Sequence, residues 1–242
     1  MKEKILRWLR TKIYHAVMNI QQERDEERMH SMLSSLKRVG KNPQISGDAF
    51  FRGMEYMKIG DSFHCGKNAW VEAIKEWRGQ TFQPRLVIGD NFSMQYNCHI
   101  GCIESIEIGN GVLLGSKVYI TDHFHGSVSK DDIDVPPALR PLSGKPVKIG
   151  DNVWIGDNVT ILPGVTLGNN VIVGANAVVT KSFPDNAVIV GCPAQVIKRL
   201  TTNKEKGRNI KEGDKPLNIN NINKGGTPWR HSDESEQTSI LT

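Results

Sequence analysis

Between Ile149 and Pro184 the chain repeats itself every six residues. The blocks read Ile149-Gly-Asp-Asn-Val-Trp154, Ile155-Gly-Asp-Asn-Val-Thr160, Ile161-Leu-Pro-Gly-Val-Thr166, Leu167-Gly-Asn-Asn-Val-Ile172, Val173-Gly-Ala-Asn-Ala-Val178 and Val179-Thr-Lys-Ser-Phe-Pro184. An aliphatic residue opens each block, Gly usually follows it, and a small apolar residue usually stands four places on. A helix turns every 3.6 residues and cannot hold that pattern on one face.

A period of six suits three short, flat strands per turn of a solenoid, each giving one large and one small side chain to a shared interior. The large residue fills the centre of a triangular section, and the small one sits near a corner. Gly, Asn and Asp fall at the corners, where positive φ is common and where Asn and Asp tolerate it best among residues that carry a Cβ. The expected fold is all-β, a left-handed parallel β-helix, an exception to the usual right-handed crossover.

The repeat does not span the whole chain. Residues 1–40 read as an N-terminal helical segment, with Ile5, Leu6, Leu9, Ile13 and Val17 at helical spacing among Lys2, Lys4, Arg7, Arg10 and Lys12, and Trp8 beside them. This stripe has two uses, packing on the solenoid's open end or a neighbouring subunit, or lying on anionic lipid. A second helix is expected from Gln21 to Leu36, highly charged and with little packing surface. Residues 201–242 are Asn, Lys, Gly, Ser and Glu with few large apolar groups, a composition expected to remain disordered. The β-helix domain is therefore expected over residues 41–200. Its four Cys, with no signal-peptide pattern and no long apolar run, suit a reduced cytoplasmic protein.

Counting in sixes shows where the solenoid breaks. Ile45-Ser-Gly-Asp-Ala-Phe50 is a first rung, and clean phase begins at Ile59. From Val71 to Ile88 is seventeen residues, so residues 75–84 leave the coil. Phase slips by two between Ile100 and Ile108, and from Ile120 to Ile149 is twenty-nine, so residues 127–146 form an inserted loop rich in Pro and Gly. A loop of that length inside a compact domain is usually functional. It begins just after His123 and His125.

Seven His are present, and most have ordinary places in helix, tail or rung end. Cys98-His99 with Cys102 resembles a metal site only superficially, because a structural zinc needs four converging ligands and Cys98 falls at a small interior position. His123 and His125 stand where the long loop departs. A neutral imidazole there can take a proton from a hydroxyl and hand it on, as acyl transfer requires; the same pair can also be two polar turn residues.

The run from Ile59 to Lys198 resembles the hexapeptide-repeat acyltransferases. It is similar in particular to bacterial O-acetyltransferases that modify surface and Nod-factor sugars, and to the maltose and galactoside acetyltransferases. The motifs that carry the resemblance are Thr121-Asp-His-Phe-His-Gly126, Arg140-Pro-Leu-Ser-Gly-Lys-Pro146, Ile161-Leu-Pro-Gly-Val165, Gly174-Ala-Asn-Ala-Val-Val-Thr-Lys181 and Gly191-Cys-Pro-Ala194. The resemblance implies a homotrimer with acetyl-CoA lying between adjacent solenoids and a site shared by two subunits.

Carried over residue by residue, His123 is the general base, His125 its less essential neighbour, and Asp122 either orients the ring or is a corner residue. Trp154 stands beside the pantetheine arm, Gly156 and Ala175 touch it through their backbones, Thr180 and Lys181 lie nearer the nucleotide, and Lys198 or Arg199 meets the phosphates. Gln95, with Asn97 two places on, stands where the galactoside enzymes use Asn toward the acceptor, a departure that leaves the acceptor open. The implied function is acetyl-CoA-dependent O-acetylation of a sugar in cell-surface polysaccharide biosynthesis, with no metal and no nucleic-acid partner. A basic first twenty residues suggests a lipid-linked acceptor at the inner membrane face. The alternatives are a γ-type carbonic anhydrase, which binds zinc through three His, and a non-catalytic scaffold of the same fold.

Overall fold

Each turn of the chain lays three short parallel strands on three faces of a prism, in a computed structural model that describes residues 2–126 and 130–200. The first face stacks Arg38–Val39, Met57–Ile59, Arg85–Ile88, Ser105–Ile108, Val147–Ile149 and Thr166–Leu167 in sequence order. The second stacks Gln44–Ile45, His64–Cys65, Ser93–Met94, Leu113–Leu114, Trp154–Ile155, Ile172–Val173 and Ala187–Val190, and the third stacks Phe50–Arg52, Trp70–Ala73, His99–Cys102, Tyr119–Thr121, Thr160–Ile161 and Val178–Val179. This is the left-handed parallel β-helix that the hexapeptide period predicts. Its coils begin at Arg38, slightly before the expected boundary. The expected tail at 201–242 lies outside the described residues.

Register explains the core. On the third face Phe51, Val71, Ile100, Ile120, Ile161 and Val179 stand in one column, one per coil, all buried. Phe63 and Phe92 occupy positions where a small residue was expected and stack on each other at 5.4 Å with an interplanar angle of 9°. Burial of such columns removes apolar surface from water at about 25 cal/mol per Å², the main force holding the coils together.

The corner between the first and second faces explains the Gly-Asp-Asn text differently from the expectation. In each turn the third residue carries the positive φ, as at Asn91 (φ 55°), Asn152 (φ 56°) and Asn170 (φ 56°), while the preceding Gly does not. The middle Asp or Asn accepts a backbone N–H from the neighbouring coil: Asp90 from Asp61 at 2.8 Å, Asn110 from Asp90 at 2.8 Å, Asp151 from Asn110 at 2.7 Å, Asn169 from Asp151 at 2.8 Å, and Asp185 from Asn169 at 2.8 Å. A Cβ on Gly60 or Gly150 would run into that side chain and the backbone beside it. Glycine is required here by close approach, not by dihedral freedom.

Both breaks in phase, and the slip, fall at the corner between the third and first faces. Residues 76–81 form an antiparallel hairpin, Glu76–Trp77 with Gln80–Thr81. The larger departure begins earlier than expected, because His123–His125 already pairs antiparallel with Leu142–Gly144. At the far end Ala187–Val190 and Gln195–Arg199 form two antiparallel strands, where one closing strand was expected.

The N-terminal segment is one continuous helix, Lys2–Ser35, in place of two. The division of labour along it is the reverse of that expected. Ile5, Leu6, Trp8, Leu9, Ile13 and Val17 are all exposed, whereas Met29, Met32 and Leu33, with Leu36 just beyond the helix, pack against the solenoid core. Among the described residues no helix is long and apolar enough to cross a membrane.

Candidate active site

His123 sits at the root of the larger excursion with its side chain only 9% exposed. Its Nδ1 lies 3.1 Å from Thr121 Oγ1 and 3.2 Å from Asp122 Oδ1. Asp122 is fully buried, and its carboxylate accepts three backbone N–H groups, from Ile103 to Oδ1 at 2.9 Å and from Glu104 and Ser105 to Oδ2 at 2.8 Å each. A carboxylate so engaged is an acceptor, so Nδ1–H donates to it, and in the neutral imidazole the lone pair is then on Nε2. Asp122 is thus no ordinary corner residue. It ties the histidine to the two-residue slip in the coil before it.

Cε1 of His123, between the two ring nitrogens, faces a space left by glycine. A Cβ on Gly101 would lie 3.2 Å from His123 Cε1, 3.6 Å from His99 Nε2 and 3.9 Å from Glu72 Oε1. Three chemically active side chains therefore surround one missing methyl group on the outer side of the third face.

His99 and Glu72 carry more than the sequence reading assigned them. Glu72 bonds Arg52 at 2.6 Å and His99 at 3.3 Å. Burial pushes its carboxyl up, but the hydrogen bonds from His99 and Trp70 and the Arg52 charge outweigh burial and hold it below the ordinary value of 4.5. Residues 52, 72, 101 and 121 stand side by side in register, but the irregular spacing between them hides this in the sequence.

The two excursions brace each other over the site. The Gln80 amide donates to Leu142 O at 3.2 Å and accepts Leu142 N–H at 2.7 Å. Trp77 meets His125 edge to face at 5.3 Å, and Ile74, Ile103 and Leu142 form a small buried cluster with Trp77 and Phe82 beneath them. The hairpin at 76–81, to which the sequence assigned nothing, fixes the strand on which His123 stands. His125 is exposed, its ring centre 6.3 Å from that of His123.

The remaining predicted residues lie elsewhere on the prism. Gln95 and Asn97 are at the corner between the second and third faces, at the other end of the His99–Cys102 strand from the excursion, with Asn97 at φ 57°. Trp154 is exposed on the second face, between Leu113 and Ile172. Gly156 and Ala175 follow at that same corner, and a Cβ on Gly156 would stand 2.7 Å from Ala175 N. Thr180 and Lys181 are at the third corner, with Lys181 Nζ 2.9 Å from Gln195 Oε1, and Lys198 is exposed on the last strand. One chain thus brings together His123, Asp122 and His125, and separately Trp154, Gly156 and Ala175. It does not join the two groups.

Cys65, Cys98 and Cys102 are buried, and burial pushes all three thiols up, Cys65 to about 12. None is set up as a thiolate nucleophile. Among the described residues no three His, Cys, Asp or Glu side chains converge to hold a metal ion.

Comparison with known proteins follows the same lines. Residues 146–181 match the family described as Bacterial transferase hexapeptide (six repeats). The chain is 42% identical over 154 residues to the putative lipopolysaccharide biosynthesis O-acetyl transferase WbbJ of Escherichia coli K12, covering 62% of this chain and 75% of that protein. A galactoside acetyltransferase solved in complex with coenzyme A is 26% identical, with a TM-score of 0.51 over 77% of this chain and 76% of that one. AntD, an N-acyltransferase from Bacillus cereus, shares the fold at 19% identity, with a TM-score of 0.58 over 75% of this chain and 92% of its own. The coil, the loop-rooted histidine and these matches together place the chain in the hexapeptide-repeat acyltransferase family.

Proposed function

We propose that this chain transfers an acetyl group from acetyl-CoA to a hydroxyl of a sugar, with His123 as general base. The observation that carries the proposal is the histidine itself: Nδ1 engaged by Asp122 and Thr121, which leaves Nε2 as the nitrogen available to a hydroxyl, and Cε1 turned to the space above Gly101. The named activities of the similar proteins, an O-acetyl transferase and a galactoside acetyltransferase, support the choice of donor and acceptor.

His123 Nε2 takes the proton as the sugar oxygen forms its bond to the thioester carbonyl carbon. The tetrahedral oxyanion is met by backbone N–H donors, and the imidazolium returns the proton to the departing CoA sulfur as the C–S bond breaks. Asp122 holds the ring in one tautomer throughout and faces the positive charge when it forms. Buried Cys are not used, and no acyl-enzyme is formed.

His123 and the group Trp154, Gly156 and Ala175 lie on different edges of one prism, which supports a homotrimer in which one chain's histidine meets the neighbour's cofactor-facing edge. Light scattering giving the mass of one chain would refute this. The exposed apolar stripe of the N-terminal helix, set among Lys and Arg, supports contact with an anionic membrane and a lipid-linked acceptor there; cosedimentation with anionic vesicles tests it. The decisive experiment on the activity is His123→Ala, expected to fold and to lose at least about 10²-fold in transfer from acetyl-CoA. Transfer at the native rate would overturn the assignment.

A further inference from the structure

The outer side of the third face carries a row of rings that leads directly to His123. Phe50, Trp70, His99 and Tyr119 stand opposite one another on successive strands. Phe50 and Trp70 meet edge to face at 5.8 Å, Trp70 and His99 stack at 4.6 Å and 15°, and His99 and Tyr119 are 5.0 Å apart. Two of the four are wide open, Phe50 at 45% and Trp70 at 46% exposure. Parallel strands are about 4.8 Å apart, so the row runs about 14 Å.

Beside this row, two residues further along each strand, runs the polar column Arg52, Glu72, Gly101, Thr121. The surface therefore offers an apolar π-face along one side and, along the other, the open Arg52 guanidinium, held by the buried Glu72 that also bonds His99. That pairing fits one kind of ligand. A pyranose ring has an apolar C–H face that settles on aromatic π-clouds and an edge of hydroxyls that needs directional partners. A purely apolar partner would leave the Arg52 guanidinium covered by carbon.

We infer that this row is an extended binding platform for an oligosaccharide acceptor, with the reacting sugar at His99 and Tyr119, next to His123, and the following sugars on Trp70 and Phe50. The inference rests on the proposed function and adds to it that the acceptor is a chain of sugars longer than a single ring. His99 and Glu72 are positioning residues in this arrangement. They hold the platform's polar edge and do not touch the transferred acetyl group.

The test uses the full chain with acetyl-CoA and a panel of glucose, galactose and N-acetylglucosamine, each as the monosaccharide and as its di- to tetrasaccharides. The native protein should show a KM that falls with acceptor length. Trp70→Ala should raise KM for the oligosaccharides about tenfold more than it raises the monosaccharide KM, since one lost ring contact is worth up to about that factor. Trp70→Phe should restore most of the effect, and Phe50→Ala should act only on the longest acceptors. Sugars acetylated without dependence on length would overturn the platform and leave the activity standing. If no sugar on the panel were acetylated, both readings would fall. A change in oligomeric mass in Trp70→Ala, seen by light scattering, would also overturn it, by showing that the row is covered by a second copy.

Discussion

Asp122→Asn is the substitution that most sharply tests how His123 is held. The native carboxylate takes two N–H groups at Oδ2, and one N–H plus the His123 Nδ1 at Oδ1. Asn keeps a single oxygen. Placed at Oδ2 it retains the bonds from Glu104 and Ser105, but its NH2 then confronts the Ile103 N–H and Nδ1–H, donor against donor. One hydrogen bond to a charged acceptor is lost, worth about 1.5–3 kcal/mol, and the Ile103 donor is left buried and unpaired. We expect a loss of about 3 kcal/mol, or about 6–12 °C in Tm for a domain of this size. The amide also favours the tautomer with the proton on Nε2, which removes the base, although Thr121 Oγ1 at 3.1 Å remains as an alternative partner. Transfer should therefore fall by about 10² or more, less than the loss of about 10⁴ known for the analogous change in a serine protease triad, where Asp is the main orienting partner. Calorimetry and steady-state release of CoA thiol give the two readouts. A melting temperature within about 2 °C of the native protein, or activity within about threefold, would refute the reasoning.

Two further outcomes follow from the same structure. Gly101→Ala should fold normally and lose activity, because its methyl group would lie 3.2 Å from His123 Cε1 and displace the ring; kinetics beside a melting curve check this, and an unchanged kcat would sink it. The Cys65 thiol, raised from its ordinary value of 9.0 to about 12, keeps a proton in the folded chain that the unfolded chain releases, so its contribution is full below pH 9 and declines as pH rises toward 12. Urea midpoints across that range should fall less steeply for Cys65→Ala than for the native protein, and on the native fold a thiol reagent should reach exposed Cys192 before Cys65.

The regular coils were legible because six-residue spacing has one structural solution, and the breaks were legible because a strict period makes every interruption countable. His123 emerged from that counting. What the sequence hid was contact across coils. Asp122 works through the N–H groups of residues 103–105, whose backbone carries no side-chain signature. Glu72 and His99 come to the same side of Gly101 as His123 only through a register spanning irregular gaps. The helix was legible only in part: an apolar stripe announces that something will cover it, but not what, and the packing on the solenoid comes from Met29, Met32 and Leu33. The glycines that open the first-corner turns were read for φ when their role is to make room for a neighbouring Asp or Asn.

That ladder of Asp and Asn side chains at the first corner restricts where the chain can vary in length. Each side chain is measured against the backbone one coil away, so an extra residue at that corner would leave an N–H without its acceptor and a carboxylate without its donor. The third corner has no such continuous fastening, and there the strand count tolerates a slip of two, a hairpin and a long loop. The hairpin, the slip and the long loop of this prism all lie on one edge, and it is at that edge that the histidine stands.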